Sequence, residues 1–122
     1  MSCILLTGGF GYIGSHTAAV LADKKQKFVI VDNFSNCKKD MFRKLEKITK
    51  QEIKFYDLDI KDTQKLREII IQNKITSVIH FAALKSVSDS LKNPLEYYDV
   101  NVVGTISLLS AMRSTGVKNF LF

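Results

Sequence analysis

Five short apolar runs punctuate the chain: Cys3-Ile4-Leu5-Leu6, Phe28-Val29-Ile30-Val31, Ile53-Lys54-Phe55-Tyr56, Ser77-Val78-Ile79-His80-Phe81 and Phe120-Leu121-Phe122. Their length and their β-branched and aromatic content predict strands, and those that are apolar at nearly every position read as strands covered on both faces. Between them the pattern changes to helical spacing, which predicts helices over residues 12–23, 40–49, 63–72 and 94–115. For the last helix, Asn93 is the expected N-cap, with Pro94 in the first turn and Glu96 near the third position, and Gly116 closes the far end. Leu95, Tyr98, Val102, Leu109 and Met112 are expected to share one face of it.

Strand and helix alternate with short connections, which is the signature of right-handed βαβ units and a parallel sheet. The expected class is therefore α/β, in one domain covering residues 1–122. An apolar fifth strand with no helix after it reads as a sheet cut short, because it leaves an uncovered edge.

Composition adds little to this picture and removes several alternatives. With 122 residues, 46% hydrophobic and 25% charged, the chain has an ordinary globular balance. The formal charge of +6 raises nucleic acid as a partner, but ten of the eighteen basic residues fall between Lys24 and Lys54, interleaved with Asp32, Asp40, Glu46 and Glu52. That reads as a solvated basic helix, and no nucleic-acid partner is expected. Cys3 and Cys37 form neither a metal-type pair nor a disulfide framework, so a reducing, cytoplasmic setting is expected. The long uncharged stretch at the start is interrupted by glycines and lacks a preceding positive residue, so neither export nor a membrane span is expected.

The chemistry begins directly after the first strand, at Thr7-Gly8-Gly9-Phe10-Gly11-Tyr12-Ile13-Gly14. Glycines between a strand and a helix can turn the chain tightly, let bare backbone approach a pyrophosphate, and let helix and strand pack closely. Free N–H groups at the helix start then face the phosphates. The second strand ends at Asp32, where a carboxylate accepts hydrogen bonds from the adenine-ribose hydroxyls and repels a 2′-phosphate, so NAD is expected over NADP. NAD binding is expected to be most sensitive at Gly11. Asp59, just past the third strand, lies at the edge where open parallel sheets bind ligands; alternatively it is a helix-start acid paired with Asp62.

The spacing Gly8-x-x-Gly11-x-x-Gly14 resembles the turn of the extended short-chain dehydrogenase/reductase superfamily, and residues 7–16 resemble its sugar-nucleotide epimerase version. The similarity runs on through Asp32-Asn33-Phe34-Ser35-Asn36, His80-Phe81-Ala82-Ala83-Leu84-Lys85-Ser86-Val87, Asn93-Pro94-Leu95-Glu96-Tyr97-Tyr98-Asp99, Gly104-Thr105 and Gly116-Val117-Lys118-Asn119-Phe120. All of these resemble the UDP-glucose 4-epimerase family.

The resemblance implies a Rossmann-type doubly wound sheet and an isomerase that interconverts UDP-glucose and UDP-galactose by reversible hydride transfer at the sugar C4, within galactose metabolism. Its implied cofactor is NAD, its partner a nucleotide sugar, and its assembly a homodimer. It places Gly8, Gly11, Tyr12, Ile13 and Gly14 at the pyrophosphate, and Asp32, Asn33, Phe34, Ser35, Asn36 and Cys37 around the adenosine ribose. Asp59 and Ile60 would flank the adenine, and Phe81, Ala82, Ala83, Leu84 and Lys85 would line the cofactor on the fourth strand's side. Two positions depart from the family: Val100 stands where an asparagine usually helps hold the cofactor, and Ala83 where glycine is usual. Either binding is weaker, or Asn101 takes over the role of Val100.

Catalysis in the superfamily uses a tyrosine followed four residues later by lysine. Tyr12, Tyr56, Tyr97 and Tyr98 are followed at that spacing by His16, Ile60, Asn101 and Val102. No catalytic residue is therefore expected within these 122 residues, and the stretch by itself is expected to be inactive. His16 and His80 lack metal-ligand spacing and are expected to be packing residues; no metal site is expected. The alternatives are another NAD-dependent nucleotide-sugar dehydratase or decarboxylase of the same superfamily, and a non-catalytic NAD-binding module.

Overall fold

The computed structural model describes residues 2–122. Its elements in order are β1 (Cys3–Thr7), α1 (Tyr12–Asp23), β2 (Lys27–Asp32), α2 (Met41–Thr49), β3 (Phe55–Asp57), α3 (Thr63–Gln72), β4 (Ser77–His80), α4 (Val87–Lys92), α5 (Pro94–Tyr98), a π-helical turn (Asp99–Val103), α6 (Gly104–Thr115) and β5 (Asn119–Leu121). The strands form one parallel sheet in the order β3-β2-β1-β4-β5. This is the expected doubly wound α/β architecture, with the order reversing between β1 and β4.

Alternation along the central strands divides the core in two. Leu5, Val29, Val31 and Val78 point to one face, where Leu66, Ile69 and Ile70 of α3 and Leu108, Ala111 and Met112 of α6 cover them. Leu6 and Ile30 point to the other, under Ala18 and Ala22 of α1 and Leu45 of α2. Small residues on α1 let that helix lie close to the sheet.

Three local expectations are corrected. The helix expected over 94–115 is interrupted by the π-helical turn, and α4 precedes it, capped by Ser86, whose Oγ accepts the Asp89 N–H. Asn93 makes no side-chain cap at the start of α5. Of the five residues expected on one face, only Met112 is buried, whereas Leu95, Tyr98, Val102 and Leu109 are exposed. The wide turn adds a residue to the helical count and shifts the phase, so that Gly104, Ser107, Leu108, Ala111 and Met112 face the core instead. The C-terminal end is as expected: Gly116 adopts φ +78°, and the Val117 N–H reaches back to the Met112 carbonyl.

Candidate functional site

At the carboxyl ends of the strands lies a cleft of about 620 Å³, within the range of small-molecule sites. It sits where the strand order reverses. All the expected cofactor-binding residues line it except Gly14 and Phe34.

The glycine turn explains the first exception. Gly8 has φ +66°, and a Cβ there would lie 2.7 Å from the Ala82 nitrogen, so Gly8 lets β1 and β4 close together. A Cβ on Gly14 would run into the Gly8 carbonyl and lie 2.8 Å from Gly9 Cα, so Gly14 is the contact between α1 and the turn. Gly11 differs: a Cβ there meets only the Gly8 carbonyl, at 3.3 Å, and its φ is an ordinary −69°. Its bare backbone fronts the cleft. Tyr12 and Ile13 follow at the exposed rim, at the start of α1, whose N-cap Gly11 offers no side chain to the first N–H groups.

Asp32 has work beyond the expected one. Its Oδ2 accepts the Phe10 N–H at 3.1 Å and its Oδ1 the Phe34 N–H at 2.9 Å. The carboxylate thereby pins the glycine turn to the loop after β2, and each oxygen keeps a lone pair for a further donor. Phe34 is held at φ +57° with its ring stacked on Phe10, 5.3 Å between centroids, and set edge-on to Phe55. Its side chain belongs to the core, which is why it does not line the cleft. Asn33 Oδ1 accepts the Ser35 N–H and shapes the same loop. The Cys37 thiol is pushed up to about 11 by burial and by the charge of Asp32, so it is a neutral wall rather than a nucleophile.

Asp59 and Asp62 prove to have separate tasks. Asp62 caps α3 by accepting the Lys65 N–H, whereas Asp59 accepts the Lys61 N–H in its own loop. The Lys61 ammonium lies 3.8 Å from Asp59 and pairs with Asp99 on the π-helical turn. That bond to Asp99, and then the charge of Asp59, raise the lysine above its ordinary range. Lys61, Asp99, Glu96, Val31 and Leu58 also line the cleft, unanticipated from sequence. Lys61 could have been noticed two positions after Asp59, but Asp99 reaches it only through the tertiary fold.

On the opposite wall, Phe81, Ala82, Ala83, Leu84 and Lys85 leave β4, and Val100 faces them. Asn101, the possible substitute for the missing asparagine, does not itself line the cleft. Its Oδ1 accepts the Leu84 N–H at 2.8 Å and its Nδ2 donates to the Leu84 carbonyl at 2.9 Å, so its amide clamps the loop backbone and keeps one N–H for a further acceptor. His80 is buried between Thr7 and Thr105, and the exposed His16 contacts the Tyr12 carbonyl. Among the described residues no three His, Cys, Asp or Glu side chains cluster closely enough to hold a metal ion.

The family described as GDP-mannose 4,6 dehydratase matches residues 5–122. A UDP-glucose 4-epimerase of Klebsiella pneumoniae is 47% identical over 119 residues, 98% of this chain and 86% of that sequence. The crystal structure of UDP-glucose 4-epimerase from Stenotrophomonas maltophila with bound NAD and formylated UDP-arabinopyranose superposes with a TM-score of 0.95 at 39% identity, covering 98% of this chain. That of Bifidobacterium longum, in complex with NAD+ and UDP, gives 0.93 at 38%, again over 98% of this chain. The chain spans 36% of each of these two solved proteins. With a family match over residues 5–122 and a relative 47% identical over 98% of this sequence and 86% of its own, the chain belongs to the UDP-glucose 4-epimerase family of the extended short-chain dehydrogenases/reductases.

Proposed function

We propose that these residues are the NAD-binding part of a UDP-glucose 4-epimerase, interconverting UDP-glucose and UDP-galactose. One observation carries the reading: of the four glycines in the turn, Gly8 and Gly14 are required by neighbouring backbone and Gly9 is pressed by the Ile30 side chain, while Gly11 presents bare backbone to the cleft with only the Gly8 carbonyl near it. A dinucleotide's pyrophosphate explains that gap, since backbone N–H groups at a helix start bind phosphate oxygens closely.

NAD fits the remaining walls. Gly8, Gly11, Tyr12 and Ile13 would hold the pyrophosphate, and Asp32 the adenosine ribose, with Asn33, Ser35, Asn36 and Cys37 enclosing it. Asp59 and Ile60 would flank the adenine, and Phe81 to Lys85 with Val100 the remaining part. When bound, NAD⁺ supplies a hydride acceptor and donor for the sugar C4. The chain's own part is to orient that group, to exclude water with Ile60, Leu58 and Leu84, and to select against a 2′-phosphate through the Asp32 charge.

Replacing Gly11 by Val tests this directly. The variant is expected to fold with a modestly lower melting temperature, since its Cβ presses on the Gly8 carbonyl at the helix N-cap, and to lose at least about tenfold in NAD affinity, roughly 1.4 kcal/mol or more. Undiminished NAD binding by isothermal titration removes the pyrophosphate from this turn.

The general base is expected to lie outside these residues, since deprotonating a sugar hydroxyl near neutral pH needs a base of lowered pKa. The 122-residue chain supplied with NAD and UDP-galactose is therefore expected to form no UDP-glucose in a coupled assay. Turnover above the no-protein control would mean that His80 or Tyr98 acts as the base.

A homodimer is part of the same proposal. Val87, Leu91, Leu95, Tyr98, Val102 and Ile106 expose apolar surface along α4, α5, the π-helical turn and α6, as an interface between subunits would require. A cytoplasmic setting and a place in galactose metabolism complete it; the free thiols Cys3 and Cys37 favour the first. No helix among the described residues is long and apolar enough to cross a membrane.

A further inference from the structure

A chain of hydrogen bonds runs through the molecule behind the cleft and joins its two walls. Thr105 Oγ1 donates its one proton to the Asn101 carbonyl at 2.6 Å. Toward the imidazole Nε2 of His80, 3.0 Å away, the same oxygen can therefore only accept. Nε2 must carry the ring proton, and Nδ1, left bare, accepts from the Thr7 hydroxyl at 2.5 Å. Thr7 Oγ1 in turn faces the Ala82 N–H at 3.3 Å.

The two ends of this chain abut residues that line the cleft. Thr7 immediately precedes Gly8, and Asn101 clamps both backbone groups of Leu84. We propose that His80 is a positioning residue of the cofactor site, which as the neutral Nε2–H tautomer holds the glycine turn and the Leu84–Lys85 wall in register. This rests on the NAD reading above.

The alternative protonation state fits the surroundings poorly. A proton on Nδ1 would turn the Thr7 hydroxyl away from the ring. Thr7 is fully buried, so its O–H would lose its acceptor. Around the ring, β1 presents Thr7, α6 presents Thr105, and Phe120 and Phe122 lie about 6 Å away. None of these ionises; Lys85 is the charged group that bears on the imidazole. Burial first, and then Lys85, lower the proton affinity of His80 below the ordinary range. Folding therefore prefers the neutral ring. The associated stability is complete above pH 6.5 and declines as acid protonates the unfolded chain.

The test combines nitrogen NMR of the purified protein with NAD titration of variants. The expected spectrum at pH 8 shows His80 with Nε2 protonated and Nδ1 bare. Protonation of Nδ1 at pH 8 overturns the inference. At pH 8, His80→Phe is expected to weaken NAD about tenfold. His80→Gln, which can still donate to Thr105, is expected to recover part of that loss. Should His80→Phe fail to fold, Thr105→Val removes the same link from the helix side and is expected to weaken NAD five- to tenfold. Parent-like affinity in folded His80→Phe, or in Thr105→Val, overturns the positioning role alone. Absence of NAD binding by the unaltered protein overturns the cofactor reading and this inference with it.

Discussion

Substituting Gly14 by alanine is expected to destabilise the fold by about 3 kcal/mol, since an overpacked site of this kind has no cheap relaxation. The added methyl meets the Gly8 carbonyl and Gly9 Cα, both of them backbone, so no side chain can swing aside. Either α1 moves off the sheet or the turn deforms, and both spoil the cleft. Thermal unfolding should show a fall of roughly 10 °C for a chain of this size. Two controls separate the causes. Gly11→Ala meets a single backbone atom, at the looser distance of 3.3 Å, and should lose clearly less stability than Gly14→Ala. Gly116→Ala meets nothing within 4 Å but must hold φ +78°, so it isolates conformational strain, about 1 kcal/mol. A Gly14→Ala protein as stable as the parent would show that α1 is not locked against the turn.

Asp32→Ala is expected to strike stability and selectivity together. The carboxylate accepts two backbone N–H groups, and hydrogen bonds to charged groups contribute about 1.5–3 kcal/mol each. Water can reach this half-buried position, so a net loss of about 2 kcal/mol in chemical denaturation is expected. NAD affinity should fall, and its advantage over NADP should narrow, because the ribose acceptor and the repelling charge leave together. Asp32→Asn keeps one acceptor without the charge and should retain more stability than selectivity. Unchanged relative affinities for the two cofactors would move the ribose contact elsewhere, to Asn33 first.

These two residues also show where sequence reading succeeds and where it stops. The strands were legible because Val29, Ile30 and Val31 leave no polar face, and the turn because its glycines sit between a strand and a helix. The division of labour among the glycines was not legible. Gly11 was singled out for NAD binding, but that the fold itself leans on Gly8 and Gly14 was hidden, because their neighbours come from Ala82 and from the turn itself. Asp32 was read as a ribose acceptor, but its grip on Phe10 was not legible, because that needs the chain to fold back twenty-two residues. Leu95, Tyr98 and Val102 misled because apolar residues at helical spacing look the same whether they face a core or open surface. Phe34 is a similar case, its left-handed backbone sustained by stacking on Phe10, which no local pattern records.

The π-helical turn makes chain length between α5 and α6 a discrete quantity under selection. Removing one residue from Asp99–Val103 would return the segment to an ordinary helix and rotate everything before it by about 100° relative to everything after. Asn101 could then stay on Leu84, or Gly104 could stay against Ile60, but not both. A descendant lineage could exchange side chains freely along this surface, but it could shed that residue only by inventing another clamp for the Leu84 loop.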